Sequence, residues 1–398
     1  MMSEQNQLVI VDPALMTKSG HHSALADQVV KGSLGRFPPN TAVSYIVHRD
    51  LNFDIEKNLI ESNINLIRHF DLDFYYIFEK NVSLLESSEY IFELCNQYTE
   101  CFLKFKDTNV TYFHPSMSWE HALALALALF QMKANNRIKH VVCLMFNPGI
   151  DYRGVCYDSD LSIKYQIALK SLMEAECIEI YVTDFESQLS YSNLLFKESF
   201  EIHPSYVVDL NSSKEICLQS DRYIILYLGE AKLEKGFDKL PDLLLELLKN
   251  SRLHSTFYIQ YTDDWGGSEI KEIVSKIKSI EKKYSNVVVD GCYIDDDAMT
   301  SLLLSAQCVF FNYDEEIYKN KSSGLLWKAC AADAPVVLFN DRSWLYRESS
   351  RLKATVFMFG EAFSEELNKP QKFISCNDDI YGRTIFGDFI FWLKNRLF

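Results

Sequence analysis

Tyr223-Ile224-Ile225-Leu226-Tyr227-Leu228-Gly229-Glu230-Ala231-Lys232-Leu233-Glu234-Lys235-Gly236-Phe237 decides how the chain is read. An apolar run ends at a glycine, and a lysine-bearing loop closes on a second glycine ahead of the periodic segment Asp238 to Asn250. That order predicts strand, turn and helix. It brings Lys232 and Lys235 to a helix N-terminus, where unpaired backbone N–H groups and the helix dipole favour an anion, phosphate above all. Each charge-assisted lysine contact adds roughly 1.5 to 3 kcal/mol where water is excluded. A solvated loop whose lysines pair with Glu230 and Glu234 is the competing reading.

Downstream the alternation continues. Strands are expected at Tyr223 to Leu228, Thr256 to Tyr261, Val287 to Asp290, Cys308 to Asn312 and Pro335 to Phe339. Helices are expected at Ser268 to Lys283, Asp296 to Ala306 and Ser323 to Ala332. Repeated βαβ units imply a parallel sheet covered on both faces. Ile270, Ile273, Val274, Ile277 and Ile280 form one apolar stripe that must pack on that sheet. Asp295-Asp296-Asp297 reads as an N-cap with dipole complementation in preference to a metal site, as does Asp71 with Asp73.

Upstream, strands are expected at Leu8 to Val11, Ala42 to His48, Val110 to His114, His140 to Phe146 and Glu179 to Thr183. Helices Ser118 to Lys133 and Ser162 to Glu176 lie between them, so a second α/β domain is expected. His203-Pro204 and the polar Asn211 to Lys214 interrupt the alternation. The expected domains are 1–205 and 222–380, with an aromatic helix over 381–398 carrying Ile385, Phe386, Phe389, Ile390, Trp392 and Leu393.

A chain of 398 residues suggests two domains, and 48% hydrophobic with 24% charged residues is an ordinary globular composition. The net charge of -15 argues against binding nucleic acid, which needs a basic face. The polar start Ser3 to Gln7 predicts no secretion signal, and the apolar run Ala122 to Phe130 is too short to span a bilayer. Ten cysteines without a C-x-x-C pair or a Cys/His cluster at zinc spacing fit a reduced cytosol. The expected location is cytoplasmic, with the inner membrane face as a peripheral alternative.

Open α/β domains bind ligands outside the C-terminal ends of their strands. Besides the Gly229 to Gly236 loop, two such loops stand out in the second half. Gly291-Cys292-Tyr293-Ile294 is short and would present backbone near a planar ligand. Asn312 to Gly324 contains Tyr313, Tyr318, Ser322 and Ser323 and opens a helix.

Gly229 through Lys235-Gly236, then Asp290-Gly291, then Tyr313 and Tyr318 with Ser323-Gly324, then Ala329 through Pro335-Val336-Val337 appear in a fixed order over about 120 residues. This ordered set resembles the nucleotide-sugar-dependent glycosyltransferases of the GT-B fold, family 4 type. The resemblance implies two Rossmann-like domains facing across a cleft. The C-terminal domain would hold the nucleotide-sugar donor, and the N-terminal one a glycan or lipid-linked acceptor. Lys232, Lys235, Ser323 and Gly324 would clamp the diphosphate, with Gly229, Gly236, Gly291, Tyr293, Tyr318 and Ser322 around the donor. The implied chemistry is sugar transfer with retention, without cofactor or metal, in surface polysaccharide or glycoconjugate synthesis.

The chain departs from the family in three places. Glu230 stands where the family has a basic residue, with Lys232 as the candidate replacement. The family's spaced glutamate pair falls on Lys328 and on Asn320 or Lys321, and Asp333 takes a common glycine position. A lysine cannot accept a hydrogen bond from a ribose hydroxyl. Either Glu315 or Glu316 reaches in, or the donor differs from the common UDP or GDP sugars, or catalysis is lost; Lys328 itself is otherwise an exposed helix residue, and Lys328→Glu is expected to raise nucleotide affinity if the family geometry is kept. The missing carboxylates support a second reading, a catalytically silent subunit that binds a glycan or a partner enzyme. A nicotinamide enzyme ranks low, since no strand is followed by G-x-G-x-x-G.

In the first domain Lys18-Ser19-Gly20-His21-His22 follows the first strand. Gly20 would let acceptor or donor sugar approach, while His21 and His22 either face the cleft or cap the next helix. His114 resembles the family's histidine that meets the donor sugar; a structural histidine is the alternative. The tail docks on the first domain or rests on a membrane, and its thin basic face, Lys394 and Arg396, favours docking.

Overall fold

The computed structural model describes residues 6–18, 20–33, 35–38, 41–76, 83–105, 109–132, 138–150, 157–175, 177–197, 199–208, 223–249, 255–263, 267–360 and 380–397. Ser19, Lys133, Glu176, Asn250 and the interrupting stretch 211–214 lie outside them. The chain divides into two compact units, residues 1–207 with 387–398 and residues 208–386.

The first unit is a seven-stranded sheet ordered β3-β2-β1-β4-β5-β6-β7, every pairing parallel. Its strands are β1 Asn6–Asp12, β2 Thr41–His48, β3 Asn65–Phe70, β4 Asn109–His114, β5 Ile138–Leu144, β6 Ile178–Val182 and β7 Glu201–Ile202. The intervening helices are α1 His21–Ser33, α2 Phe53–Glu61, α3 Leu84–Leu103, α4 Trp119–Met132, α5 Ser159–Met173 and α6 Phe185–Leu195. Alternate residues of β1 feed opposite cores: Val9 and Val11 join Leu94, Tyr98 and Leu125, while Leu8 and Ile10 join Leu25 and Val29. Burial on both faces explains why the strands read as nearly continuous apolar runs.

The second unit is a six-stranded parallel sheet ordered β10-β9-β8-β11-β12-β13. Its strands are β8 Tyr223–Tyr227, β9 Thr256–Gln260, β10 Val287–Asp290, β11 Ala306–Phe311, β12 Val336–Leu338 and β13 Val356–Met358. The helices are α7 Leu240–Lys249, α8 Ser268–Glu281, α9 Asp296–Leu304, α10 Gly324–Ala331 and α11 Trp344–Arg351. The expected stripe of α8 is buried at Ile270, Ile273, Ile277 and Ile280. Asp295 caps α9, its side chain accepting from the Ala298 amide.

The tail differs from the single helix expected. It forms α12 Ile380–Ile385 and α13 Phe389–Lys394, because Asp388 takes an extended conformation and accepts from the Phe391 amide, starting a new helix. α13 belongs to the first unit, where Phe389, Ile390, Trp392 and Leu393 complete the core beside Leu8 and Ile10. Gly32 lets it approach, since a Cβ there would lie 2.9 Å from Ile390 Cδ1. Arg396 donates to the Tyr181 hydroxyl at 2.8 Å and to Glu201 at 3.1 Å, so the docked reading holds for α13, while α12 belongs to the second unit. Among the described residues no helix is long and apolar enough to cross a membrane.

Candidate functional site

The order of the second sheet reverses between β8 and β11, the place where open α/β sheets leave a crevice. The loops leaving those two strands are fastened together. Gly236 has φ +72, and a Cβ on it would lie 1.8 Å from the Asn312 carbonyl oxygen. The Glu234 carbonyl accepts from the Asp314 amide at 2.9 Å, and its carboxylate meets Lys321 Nζ at 2.9 Å. Asp314 accepts from the Glu316 and Ile317 amides, turning the second loop back under itself. Tyr313 and Tyr318 are buried with ring centroids 4.4 Å apart.

Two features of the first loop escape sequence reading. Gly236 in the left-handed region interrupts the chain, which makes two short 3-10 turns, Leu233–Lys235 and Phe237–Lys239, before α7 begins at Leu240. The α7 N-terminus is thus displaced from the lysines instead of adjoining them, because the left-handed residue cannot continue a right-handed turn. The Tyr227 hydroxyl ties the loop from within, donating to the Glu230 carbonyl and accepting from the Lys232 amide.

The three lysines of this region are in different states. Lys232 Nζ stands 2.8 Å from Glu230 Oε2, and Lys321 is held by Glu234. The Lys235 side chain makes no hydrogen bond or ion pair among the described residues. Burial pulls its pKa down to about 8, with Lys232 and Lys321 acting the same way and Glu230 and Glu234 opposing them. Ion pairing therefore describes Lys232 but not Lys235.

α10 supplies a helix N-terminus close in sequence to Lys321. Ser323 precedes it in extended conformation without a side-chain cap, and among the described residues the Gly324 and Leu325 amides donate to no protein acceptor. Ser322 is half-buried and Ser323 buried. The helix is anchored from behind by Glu348 of α11, fully buried, which accepts from Trp327 Nε1 at 2.9 Å and the Tyr381 hydroxyl at 2.7 Å. Uncapped helix-start amides and a desolvated lysine are both groups that suit phosphate oxygens.

The remaining donor candidates divide. Gly229 has φ +107 with open space where a Cβ would point. After β10, Asp290 accepts from the Cys292 amide at 2.9 Å, which tightens the turn; Gly291 lies against Tyr261, and Tyr293 is 55% exposed. Lys328 is half-buried and is not the exposed helix residue allowed by its sequence context, since its Nζ is bound to Asp296 Oδ1 at 2.5 Å. That pair also changes the expectation for Lys328→Glu, which would set two carboxylates together.

In the first unit, His21 and His22 are the first two residues of α1, and the Gly20 carbonyl accepts from the Ala24 amide. Gly20 has φ +90 and open space around it. His22 Nδ1 lies 2.7 Å from Asp12 Oδ1 at the end of β1. Burial, followed by the neighbouring His22, pulls the His21 pKa well below its ordinary value. His114 is 1% exposed; its Nε2 meets His140 Nδ1 at 3.1 Å, and burial takes its pKa to about 3. Its ring points into the core because alternate residues of β4 face opposite sides, so the geometry favours the structural reading of His114.

No family model matches the chain, and no curated protein matches it in sequence. Solved structures do. UDP-GlcNAc 2-epimerase from Neisseria meningitidis bound to UDP-GlcNAc is 14% identical, with a TM-score of 0.60 over 98% of this chain and 99% of that one. An alpha,alpha-trehalose-phosphate synthase (UDP-forming) from Burkholderia xenovorans in complex with glucose-6-phosphate is 9% identical, with a TM-score of 0.59 over 98% of both chains. A glycosyltransferase from Rickettsia africae is 14% identical, with a TM-score of 0.54 over 99% of this chain and 92% of that one. With a doubly wound parallel sheet in each unit, near-complete coverage of both chains in these alignments, and a tail that returns to the first unit, the chain has the GT-B fold.

Proposed function

We propose that the chain is a glycosyltransferase whose second unit binds a nucleotide-sugar donor. The observation that carries this reading is Lys235, a desolvated ammonium without a carboxylate partner among the described residues, in a loop fastened at the switch point to the one that leads into the uncapped N-terminus of α10. In such a site Lys235 and the Gly324 and Leu325 amides would hold the diphosphate and stabilise the charge that develops on it as the sugar leaves. Lys232 would join after exchanging Glu230 for phosphate. The ligands bound in the similar structures, UDP-GlcNAc in one and glucose-6-phosphate in another, support a nucleotide-sugar donor and a sugar-containing acceptor.

The first unit would take the glycan or lipid-linked acceptor near Gly20, His21 and His22. Retention, with the leaving diphosphate accepting the acceptor proton on the same face, follows from the family 4 resemblance, as does a role in surface polysaccharide or glycoconjugate synthesis. No cofactor or metal enters this scheme. The Lys328–Asp296 pair favours one alternative: an already engaged ammonium offers a ribose diol nothing to donate to, as in a silent subunit that binds a glycan or partner enzyme.

Thermal shift against UDP, GDP, CMP and ADP, followed by mass spectrometry of the corresponding sugar donors, separates the two readings. Binding with slow donor hydrolysis supports the enzyme. Stabilisation by no nucleotide favours the silent subunit.

A further inference from the structure

Gln260, the last residue of β9, is 2% exposed. β9 lies between β8 and β10, so this side chain sits where the first and third strand-end loops part. Its amide is used in both directions. Oε1 accepts from the Gly229 N–H at 2.9 Å, and Nε2 donates to the Cys292 carbonyl at 2.7 Å. Gly229 opens the loop that carries Lys232 and Lys235, and Cys292 adjoins the exposed Tyr293.

Backbone pairing already fixes each loop separately to the strand between them. Gly229 and Ala231 pair with Thr262, and the Tyr261 amide donates to the Asp290 carbonyl. Gln260 is the side chain that joins the two, with an acceptor facing one loop and a donor facing the other. A carboxamide supplies both ends at this reach. An ionised glutamate would keep the bond to Gly229 but set a carboxylate oxygen against the Cys292 carbonyl, and a leucine would leave both backbone groups without their partner.

We propose that Gln260 is a positioning residue that couples the phosphate half of the nucleotide site to the half that meets the base. This rests on the nucleotide reading of the second unit. It predicts a particular split. A ligand that spans both loops needs them in register, whereas one that touches only Lys235 and the α10 N-terminus does not.

The test is calorimetric titration of the full-length protein and its Gln260→Glu and Gln260→Leu variants with two probes: inorganic pyrophosphate, and the tightest binder among UDP, GDP, CDP and ADP. The expected result is at least tenfold weaker nucleotide binding in both variants, with pyrophosphate affinity within about twofold of the parent. Gln260→Glu is nearly isosteric and keeps the Gly229 bond, so it serves if the leucine variant does not fold. Equal weakening of both probes would reduce Gln260 to a general structural role and overturn the proposal, as would unchanged nucleotide affinity. A parent protein that binds pyrophosphate but no nucleotide, or neither probe, would overturn the nucleotide reading itself and this inference with it.

Discussion

Gly236 and Asn312 approach so closely that a single added Cβ on the glycine would stand 1.8 Å from the asparagine carbonyl oxygen. The contact joins the loops after β8 and β11, and its obstacle is backbone that no rotamer change can move. Gly236→Ala should therefore destabilise the second unit by about 3 kcal/mol or more, combining left-handed strain with the clash. Gly229→Ala, also at positive φ but facing open space, should cost about 1 to 2 kcal/mol. Thermal unfolding of the two variants measures the difference; equal losses would contradict the fastening of the two loops.

Lys328 and Asp296 tie α10 to α9. Lys328→Glu should lower stability by about 1 to 3 kcal/mol through carboxylate repulsion in a half-buried place, and Asp296→Asn in the same chain should recover most of the loss. Denaturant melts of the two single variants and the double variant give the coupling. An additive double variant would mean that the pair does not form.

Glu120, in the first turn of α4, is 2% exposed, and among the described residues neither carboxylate oxygen has a partner in full hydrogen-bonding geometry. Burial raises its pKa to about 7, with the Ser118 side chain, its own amide and Lys164 opposing. A folded-state value above the unfolded one means that stability is fully present below the ordinary glutamate pKa and is lost as pH rises toward 7. The loss is of the order of 3 kcal/mol by pH 8. Glu120→Gln should remove this component, so its melts should exceed the parent's by more at pH 8 than at pH 5. A pH-independent gap would show that Glu120 ionises freely in the fold.

Lys235 carries the pH dependence of the candidate site. Its ammonium is charged below about pH 8 and is lost as pH rises through that value. Nucleotide affinity should therefore fall by roughly tenfold between pH 7 and pH 9.5, one charge-assisted contact being worth about 1.5 kcal/mol or more. Lys235→Met should flatten the profile.

The fold was legible where apolar runs and helical stripes were strong. β10 was bounded correctly at Val287 to Asp290, and the Ile270 to Ile280 stripe faces the core as expected. β3 was not legible: as an edge strand, Asn65-Leu66-Ile67-Arg68-His69-Phe70 carries polar residues among apolar ones, and Arg68 reaches back to Glu56. β7 has only two residues, and β13 only three. The tail reads as one helix because its aromatic periodicity spans the break, while Asp388 acts through a cap seen only in three dimensions.

At the site, the loops, their lysines and the local Lys232–Glu230 pair could be read from spacing, but the engagement of Glu234 by Lys321 could not, because it depends on which loops the sheet order brings together. Gln260 gave no signal, since its role depends on the parallel neighbours of β9. His114 was placed at a strand end by spacing, and only the face of β4 on which it falls directs its ring to His140.

The central claim, that the second unit holds a nucleotide through Lys235 and the α10 N-terminus, is tested most directly by calorimetry at pH 7. The tightest binder among UDP, GDP, CDP and ADP is titrated into the parent protein and into Lys235→Met. Saturable binding to the parent is expected, with a loss of tenfold or more in the variant and a melting temperature no lower than the parent's. Binding undiminished in Lys235→Met, or absent from the parent for every nucleotide, would contradict it.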